Sequence, residues 1–383
     1  MRLHKPLILI LVIMLLFSTQ PSSIFAAEIG EPNISARNAI IINAETGMVL
    51  YEKKPDDRVA MASTTKLMTI MVVLEQANLE DVVVISKKSA TVTGSTIHLA
   101  EGEKISVQAL LYGLMLNSGN DAAIALAEHV SGSVEEFCVL MNNKAFQIGA
   151  RNSSFTSPHG LDNLAHYTTA RDLSLIAMKA FENPIIRKIV STKSIELEGH
   201  SFRNTNDLLF NVAGVTGGKT GFTNEAGRCM VISAESEGFK IISVVLGCDT
   251  KEQRTSDATK LVKYALENFT LYEIFSAGTI LGNISIKQGQ IKSINLVNDQ
   301  SVRLSLTHNE LDSLRYEYQV QQIMPAPVVK GSALGKLNIF TGDKLICTID
   351  LVADMDSAKK EFVDYMRDLF SLWVFEPFWQ LML

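Results

Sequence analysis

Three short clusters constrain this 383-residue chain more than any other feature: Ser63-Thr64-Thr65-Lys66, Ser118-Gly119-Asn120 and Lys219-Thr220-Gly221. To serve one site, a fold must carry all three to a common point across long intervening stretches. Together they would supply a nucleophilic hydroxyl, an amine to activate it, a second hydroxyl with an amide, and a cation for an anionic substrate. Those are the parts of an acyl-transfer site.

Each cluster alone is a weak signal. Ser-x-x-Lys arises by chance, and Ser357-Ala358-Lys359-Lys360 repeats the spacing within this chain. Context separates the two, because Ser63 follows Met61-Ala62 and opens an apolar period of Leu67, Ile70, Met71 and Leu74, whereas Ser357 leads into a tail without partner motifs. The pattern predicts a helix starting at Ser63. Residues three apart share a helix face, so Lys66 can reach back over Ser63. The exposed N–H groups and positive dipole end of that helix favour developing negative charge. A free lysine, with a pKa of about 10.4, is a poor base; burial beside Lys219 would bring Lys66 to roughly 7–8, the range useful for proton abstraction. The plain alternative is an N-cap serine followed by a solvated lysine.

Ser118-Gly119-Asn120 ends the apolar period Val107, Leu110, Leu111, Leu114, Met115 and precedes Asp121 and another helical run. It is expected in a connection between two helices, a place where scaffolds commonly display catalytic side chains; as a lone tripeptide it would be a helix stop and N-cap. Lys219-Thr220-Gly221 lies within Gly217-Gly218-Lys219-Thr220-Gly221-Phe222-Thr223, where glycines let a backbone edge approach a ligand. A glycine-rich turn is the alternative.

Ser-x-x-Lys, Ser-x-Asn and Lys-Thr-Gly together are the signature of penicillin-binding proteins and class A β-lactamases. The longer matches Ala62-Ser63-Thr64-Thr65-Lys66, Leu116 to Ala123 and Gly218 to Gly227 resemble the D-alanyl-D-alanine carboxypeptidases, the low-molecular-mass penicillin-binding proteins, from about Arg37 to Phe269 and more weakly beyond. The resemblance implies that Ser63 attacks the carbonyl of the penultimate D-alanine and Lys66 takes its proton. It implies that Ser118 passes a proton toward the departing D-alanine while Asn120 holds the substrate amide and Lys66. Lys219 and Thr220 would bind the terminal carboxylate beside Gly221, and the N–H groups of Ser63 and Phe222 would form an oxyanion hole. Some relatives carry histidine after Lys-Thr-Gly where Phe222 stands here; the backbone donor survives that change, while fine substrate preference need not. Peptidoglycan stem peptides and β-lactam antibiotics are the implied partners.

Around this site the chain divides into four parts. Residues 1–26 carry Arg2, His4 and Lys5, then an apolar run from Leu7 to Phe17, then small residues near Ala26, the pattern of a secretory signal peptide. Its removal takes Arg2 and Lys5 away and moves the formal net charge from −6 to −8, which argues against general nucleic-acid binding. Residues 27–272 begin with a strand pair, Ala39 to Asn43 and Met48 to Glu52, continue through helical periods to about Ile189, and return to strands at Arg228 to Ala234 and Lys240 to Leu246. Strands at both ends imply one antiparallel sheet closed by chain-distant strands, with helices on both faces; the resemblance names this the β-lactamase-like transpeptidase fold, of α/β class. Residues 273–353 alternate with period two, predicting a small β-rich domain that acts as a spacer. In residues 354–383, Phe362, Met366, Leu369, Phe370 and Trp373 fall on one helical face. Such an amphipathic helix fits a bilayer interface, placing an exported enzyme on the outer face of the cytoplasmic membrane; a helix docked on its own protein is the alternative.

Cys138, Cys229, Cys248 and Cys347 are few for a disulfide-dependent fold, although Cys229 and Cys248 lie on two arms of one expected hairpin. No Cys/His spacing matches a zinc site, and the serine chemistry calls for no cofactor. His159 is read as a turn histidine, and Arg254 as a second candidate for the substrate carboxylate with a surface ion pair as its alternative. Two rival functions stay open: a serine β-lactamase and a non-catalytic penicillin or peptidoglycan sensor. A class A β-lactamase would need a glutamate followed four residues later by asparagine, and between Arg151 and Val190 only Glu182 offers itself, leading to Asn183-Pro184-Ile185-Ile186.

Overall fold

The structure, a computed structural model, describes the backbone of residues 30–375 and the side chains of residues 30–370. The signal-peptide segment and the side chains of Trp373, Phe375, Phe378 and Trp379 lie outside the described residues.

The chain first builds the middle of a sheet. In strand β1 (Asn38–Asn43) all six residues are buried, as expected of an Ile40-Ile41-Ile42 run covered on both faces. The chain reverses because the Asn43 side-chain oxygen accepts from the backbone N–H groups of Glu45 and Thr46, both at 2.8 Å, and Gly47 takes φ +72°. Strand β2 (Val49–Lys53) then pairs antiparallel with β1. Two short pairs follow, β3 (Val82–Val84) with β4 (Lys104–Ser106) and β5 (Ser194–Leu197) with β6 (His200–Arg203). The sheet is completed far along the chain by β7 (Val215–Thr223), β8 (Gly227–Ser236) and β9 (Phe239–Cys248), in the order β2-β1-β9-β8-β7, antiparallel throughout. The expected closure by chain-distant strands is what forms, and β7, carrying Lys219, is an edge strand.

Alternation along the strands sends side chains into two cores. Ile40, Ile42, Val231 and Val244 pack against the helices α1 (Lys66–Gln76), α2 (Val107–Leu116), α3 (Asn120–Ser131), α4 (Val134–Gln147), α5 (Ala170–Glu182) and α6 (Pro184–Ser191). Ile41, Met230, Ile232 and Val245 point the other way, onto α7 (Lys251–Asn268). Side-chain caps start these helices: Ser106, Ser133 and Thr169 accept from backbone N–H groups in the first turns of α2, α4 and α5, and Thr250 with Gln253 forms a capping box on α7.

From Thr270 to Ala353 the chain is β-rich, with a six-stranded sheet whose inward residues Ile284, Ile286, Leu337, Ile339 and Leu351 make a third core. It meets the first sheet at the β1–β2 turn, where Met48 packs against that core and Glu45 pairs with Arg303 at 3.1 Å. Asp354 to Lys360 stay attached to this part: the Asp354 carboxylate accepts from Asn295, and Ser357 is buried and bridged to Val328. A terminal helix begins only at Phe362 and runs to Phe375. Among the described residues no helix is long and apolar enough to cross a membrane.

Candidate active site

Ser63 lies in a 3₁₀ turn, Ala62–Thr65, that runs directly into α1. Two glycines make room for it. A β carbon on Gly160 would stand 1.9 Å from the Ala62 carbonyl oxygen, which excludes a side chain there, and one on Gly221 would stand 3.0 Å from the Ser63 nitrogen, a contact that forces the serine turn to shift. Strand β7 therefore lies directly against the serine turn. Ala62 is held at φ +48°, a strained conformation for a residue with a β carbon.

What holds Ala62 is a relay that the sequence reading missed. The His166 ring accepts at Nδ1 from the Thr156 N–H at 3.1 Å, so the proton sits on Nε2, which donates to Thr65 Oγ1 at 2.8 Å. The Thr65 hydroxyl in turn donates to the Ala62 carbonyl at 2.7 Å. Burial keeps this ring neutral, pushing its pKa down to about 4. His166→Ala is expected to slow acylation of the serine about tenfold through misplacement of the nucleophile, while His166→Gln, which keeps a donor and an acceptor, retains most of the rate. Stopped-flow acylation by a fluorescent penicillin measures this; equal rates for wild type and His166→Ala would remove the relay from the account.

Lys66 is completely buried, and its Nζ meets three oxygens: Ser63 Oγ at 2.9 Å, Asn120 Oδ1 at 2.8 Å and the His159 carbonyl at 3.0 Å. The chemistry follows from counting protons. An ammonium donates to all three; a neutral amine has two N–H groups and a lone pair. Asn120 Oδ1 and the His159 carbonyl can only accept, so on deprotonation only the Ser63 hydroxyl can turn round and donate. The amine lone pair then faces the nucleophile's proton. Burial first, and the Lys219 charge second, hold the Lys66 pKa well below the ordinary lysine range, with Asp121 opposing. The expected depression is present, with burial leading.

Asn120 is held so that its oxygen can face the lysine. Its Nδ2 donates to Thr93 O at 2.8 Å and its backbone N–H to Ser95 O at 2.7 Å. That loop is fastened in turn by the buried Asp121 carboxylate, which accepts from Ile97 N at 2.9 Å and Leu99 N at 3.2 Å. Ser118 occupies the expected connection between α2 and α3, at φ +62°. Its Oγ accepts from Lys219 Nζ at 3.0 Å, and Lys219 also donates to the Thr220 carbonyl at 2.8 Å. Lys219 is buried, and burial together with the Arg254 charge brings its pKa to about 7.

The three clusters thus meet as two hydrogen-bonded groups, Lys66 with Ser63 and Asn120, and Lys219 with Ser118, coupled by the repulsion between the lysines. Thr220 Oγ1 bonds Thr205 Oγ1 at 2.9 Å, and Phe222 is half exposed beside Gly221. Arg254 lies in the first turn of α7; it is buried and forms a 3.9 Å ion pair through Nη2 with the part-exposed Asp207, while neither its Nε nor its Nη2 makes a hydrogen bond. His159 has the turn role expected of it, its Nδ1 accepting from Leu161 N, yet its carbonyl serves Lys66. Cys229 and Cys248 do not approach as a bonded pair. Cys229 faces the α1 side of the sheet and Cys248 the α7 side, both are free, and burial pushes their pKa values up to about 11 and about 12. Thiols on opposite faces of a sheet cannot bridge without backbone movement. Glu182 pairs with Lys179 at 2.6 Å in an exposed ion pair at the end of α5.

Comparison with known proteins gives the same reading. The family model described as D-alanyl-D-alanine carboxypeptidase matches residues 26–250, and that of the penicillin-binding protein 5 C-terminal domain matches residues 269–359. The chain is 31% identical to the D-alanyl-D-alanine carboxypeptidase DacF of Bacillus subtilis, over 96% of this chain and 99% of that protein. It superimposes on the crystal structure of penicillin binding protein 5 from Haemophilus influenzae with a TM-score of 0.79 at 30% identity, covering 87% of this chain and 100% of that one. The Streptomyces K15 DD-transpeptidase matches 62% of the chain and 99% of its own length at 38% identity, with a TM-score of 0.61. With a family model over residues 26–250 and a relative 31% identical across nearly the whole of both chains, the chain belongs to the D-alanyl-D-alanine carboxypeptidase family of serine peptidases.

Proposed function

We propose that this protein removes the terminal D-alanine from peptidoglycan stem pentapeptides through an acyl-enzyme on Ser63, and that β-lactams acylate the same serine. The observation that carries it is the buried Lys66 with its three acceptors, of which only Ser63 can return a proton. Lys66 takes that proton as Ser63 attacks the penultimate carbonyl; the N–H groups of Ser63 and Phe222 receive the oxyanion, a device worth about 3–4 kcal/mol per donor elsewhere. Ser118, bonded to Lys219, hands a proton to the departing D-alanine. Asn120 orients Lys66 and the substrate amide, and Lys219, Thr220 and Arg254 meet the terminal carboxylate along β7 beside Gly221. Release of D-alanine from a pentapeptide stem analogue by purified mature protein is the test; a protein that binds penicillin yet releases none is a sensor. The β-lactamase alternative loses support because Glu182 is spent on Lys179.

The reading extends to placement in the cell. Residues 1–26 would export the chain, 27–272 carry the reaction, 273–353 hold it off a surface, and the tail within 354–383 attach it to the outer face of the cytoplasmic membrane. Support for the tail comes from its exposed apolar side chains: Phe362, Val363, Leu369 and Phe370 are each at least 60% exposed. Fully buried, side chains of this kind contribute roughly 1.5–3 kcal/mol each, an upper bound for interfacial burial. Because Ser357 belongs to the β-rich part, the cut that tests the tail falls at Phe362. Deleting residues 362–383 is expected to move penicillin-labelled enzyme from the membrane pellet to the soluble fraction with its labelling intact; a truncated protein that still pellets with membranes contradicts the anchor.

A further inference from the structure

Eight buried side-chain polar atoms among the described residues lack a hydrogen-bond partner, and four of them belong to the same corner: Arg228 Nε, Arg254 Nε and Nη2, and Asn206 Nδ2. All four are donors. Thr205, next to Asn206, bonds Thr220; Asp207, next again, faces Arg254; and Arg228 lies opposite Phe222 on β8. Orphaned donors are costly, and each asks for the acceptor it serves. A carboxylate, with two charged oxygens and no proton to give, answers these orphaned donors best; a neutral ester accepts through its carbonyl but brings no charge to meet the guanidiniums.

The Arg228 guanidinium lies over the Phe222 ring, 3.8 Å from its centroid. Thr220 and Phe222, two apart on β7, put their side chains on one face of the strand, opposite to that of Lys219. Arg228 is also close enough to Arg254 to repel its charge. Asp207 lies 3.9 Å from Arg254 and is shared with Lys251 at 2.7 Å, and Glu252 also senses the Arg228 charge, so three cations, Lys251, Arg228 and Arg254, face two carboxylates here. Two guanidiniums are therefore kept together without a full counter-charge, one of them fixed in direction by an aromatic face.

We propose that Arg228, braced on Phe222, is a second guanidinium of the substrate-carboxylate subsite and sets how strongly this enzyme prefers a free carboxylate to a neutral terminus. The inference rests on the carboxylate reading of Lys219, Thr220 and Arg254 given above. It also gives the departure from histidine at position 222 a physical content: phenylalanine provides the face on which the arginine is aimed.

The test compares acylation by benzylpenicillin with acylation by its neutral methyl ester, for wild type, Arg228→Gln and Arg228→Lys. Arg228→Gln is expected to lower the free-acid rate about tenfold, the size of one charge-assisted hydrogen bond, and the ester rate less than twofold. The acid-to-ester ratio therefore falls about tenfold, less so in high salt. Arg228→Lys keeps the charge without the planar stack and falls between. With a peptide ending in D-Ala-D-Ala, the same loss appears in KM more than in kcat. An unchanged acid-to-ester ratio in Arg228→Gln, whether both rates fall together or neither does, overturns the proposal. If Arg228→Gln does not fold, Arg228→Lys with a wild-type ratio overturns it equally. If wild type is acylated but releases no D-alanine, the carboxypeptidase reading fails while the ratio still decides the role of Arg228.

Discussion

Benzylpenicillin is expected to leave its acyl group on the peptide containing Ser63, and Ser63→Ala to abolish the label, a loss of at least about 10⁴-fold in acylation rate. The size follows from the nucleophile being the only hydroxyl that the Lys66 amine can deprotonate. The chain holds its own control. Ser357, with the same Ser-x-x-Lys spacing, is buried in the β-rich part, where its Oγ donates to Ile291 O at 2.9 Å, and Lys360 turns away to pair with Asp368. Ser357→Ala should keep full labelling. Mass spectrometry that finds the adduct on another residue, in protein that is active, ends the assignment.

Lys66→Ala is expected to lower acylation nearly as far, and the pH profile should show why. Acylation requires the neutral amine, so its rate falls as pH drops through the depressed pKa of Lys66. Lys219, whose own pKa is about 7, is the second cause of that depression after burial. Lys219→Ala should therefore move the limb to higher pH as well as weaken carboxylate binding. A limb unmoved in Lys219→Ala would show that the two lysines do not sense each other. Stability carries the same sign. For Lys219, between about pH 7 and its unfolded pKa near 10.4 the unfolded chain holds more protons, so stability from this group rises with pH, and Lys66, whose folded pKa is also lowered, acts in the same direction.

The parts of the site that could be read from sequence are those whose chemistry is local. Ser63 and Lys66 declare themselves by helical spacing, and Ser118 and Asn120 by a polar break between two apolar periods. The antiparallel sheet was legible because its first two and last two strands carry continuous apolar runs with turn residues between. What sequence could not give were contacts made across long separations by groups that look ordinary in line. His166 is one histidine in a polar loop until the fold brings it 101 positions back to Thr65. Asp121 reads as a helix-start acid, yet it fastens the loop that orients Asn120. The His159 carbonyl has no side-chain signature at all. Whether Cys229 and Cys248 face each other was open in the sequence for a parity reason: hairpin arms bring residues close, but the face each side chain takes depends on register and bulges, and a bulge between Arg228 and Met230 intervenes here. The terminal helix begins at Phe362, the first residue of its apolar face, and not at the expected boundary of 354, because Asp354 and Ser357 spend their hydrogen bonds on the β-rich part.

One titration tests the central claim, that a single serine carries both the hydrolysis of D-Ala-D-Ala and the reaction with β-lactams. Purified protein is titrated with benzylpenicillin, and D-alanine release from a pentapeptide stem analogue is measured at each point beside the fraction of Ser63 acylated. The account predicts that release falls in proportion and reaches zero when one equivalent is bound at Ser63. Release that persists with Ser63 fully acylated would contradict it.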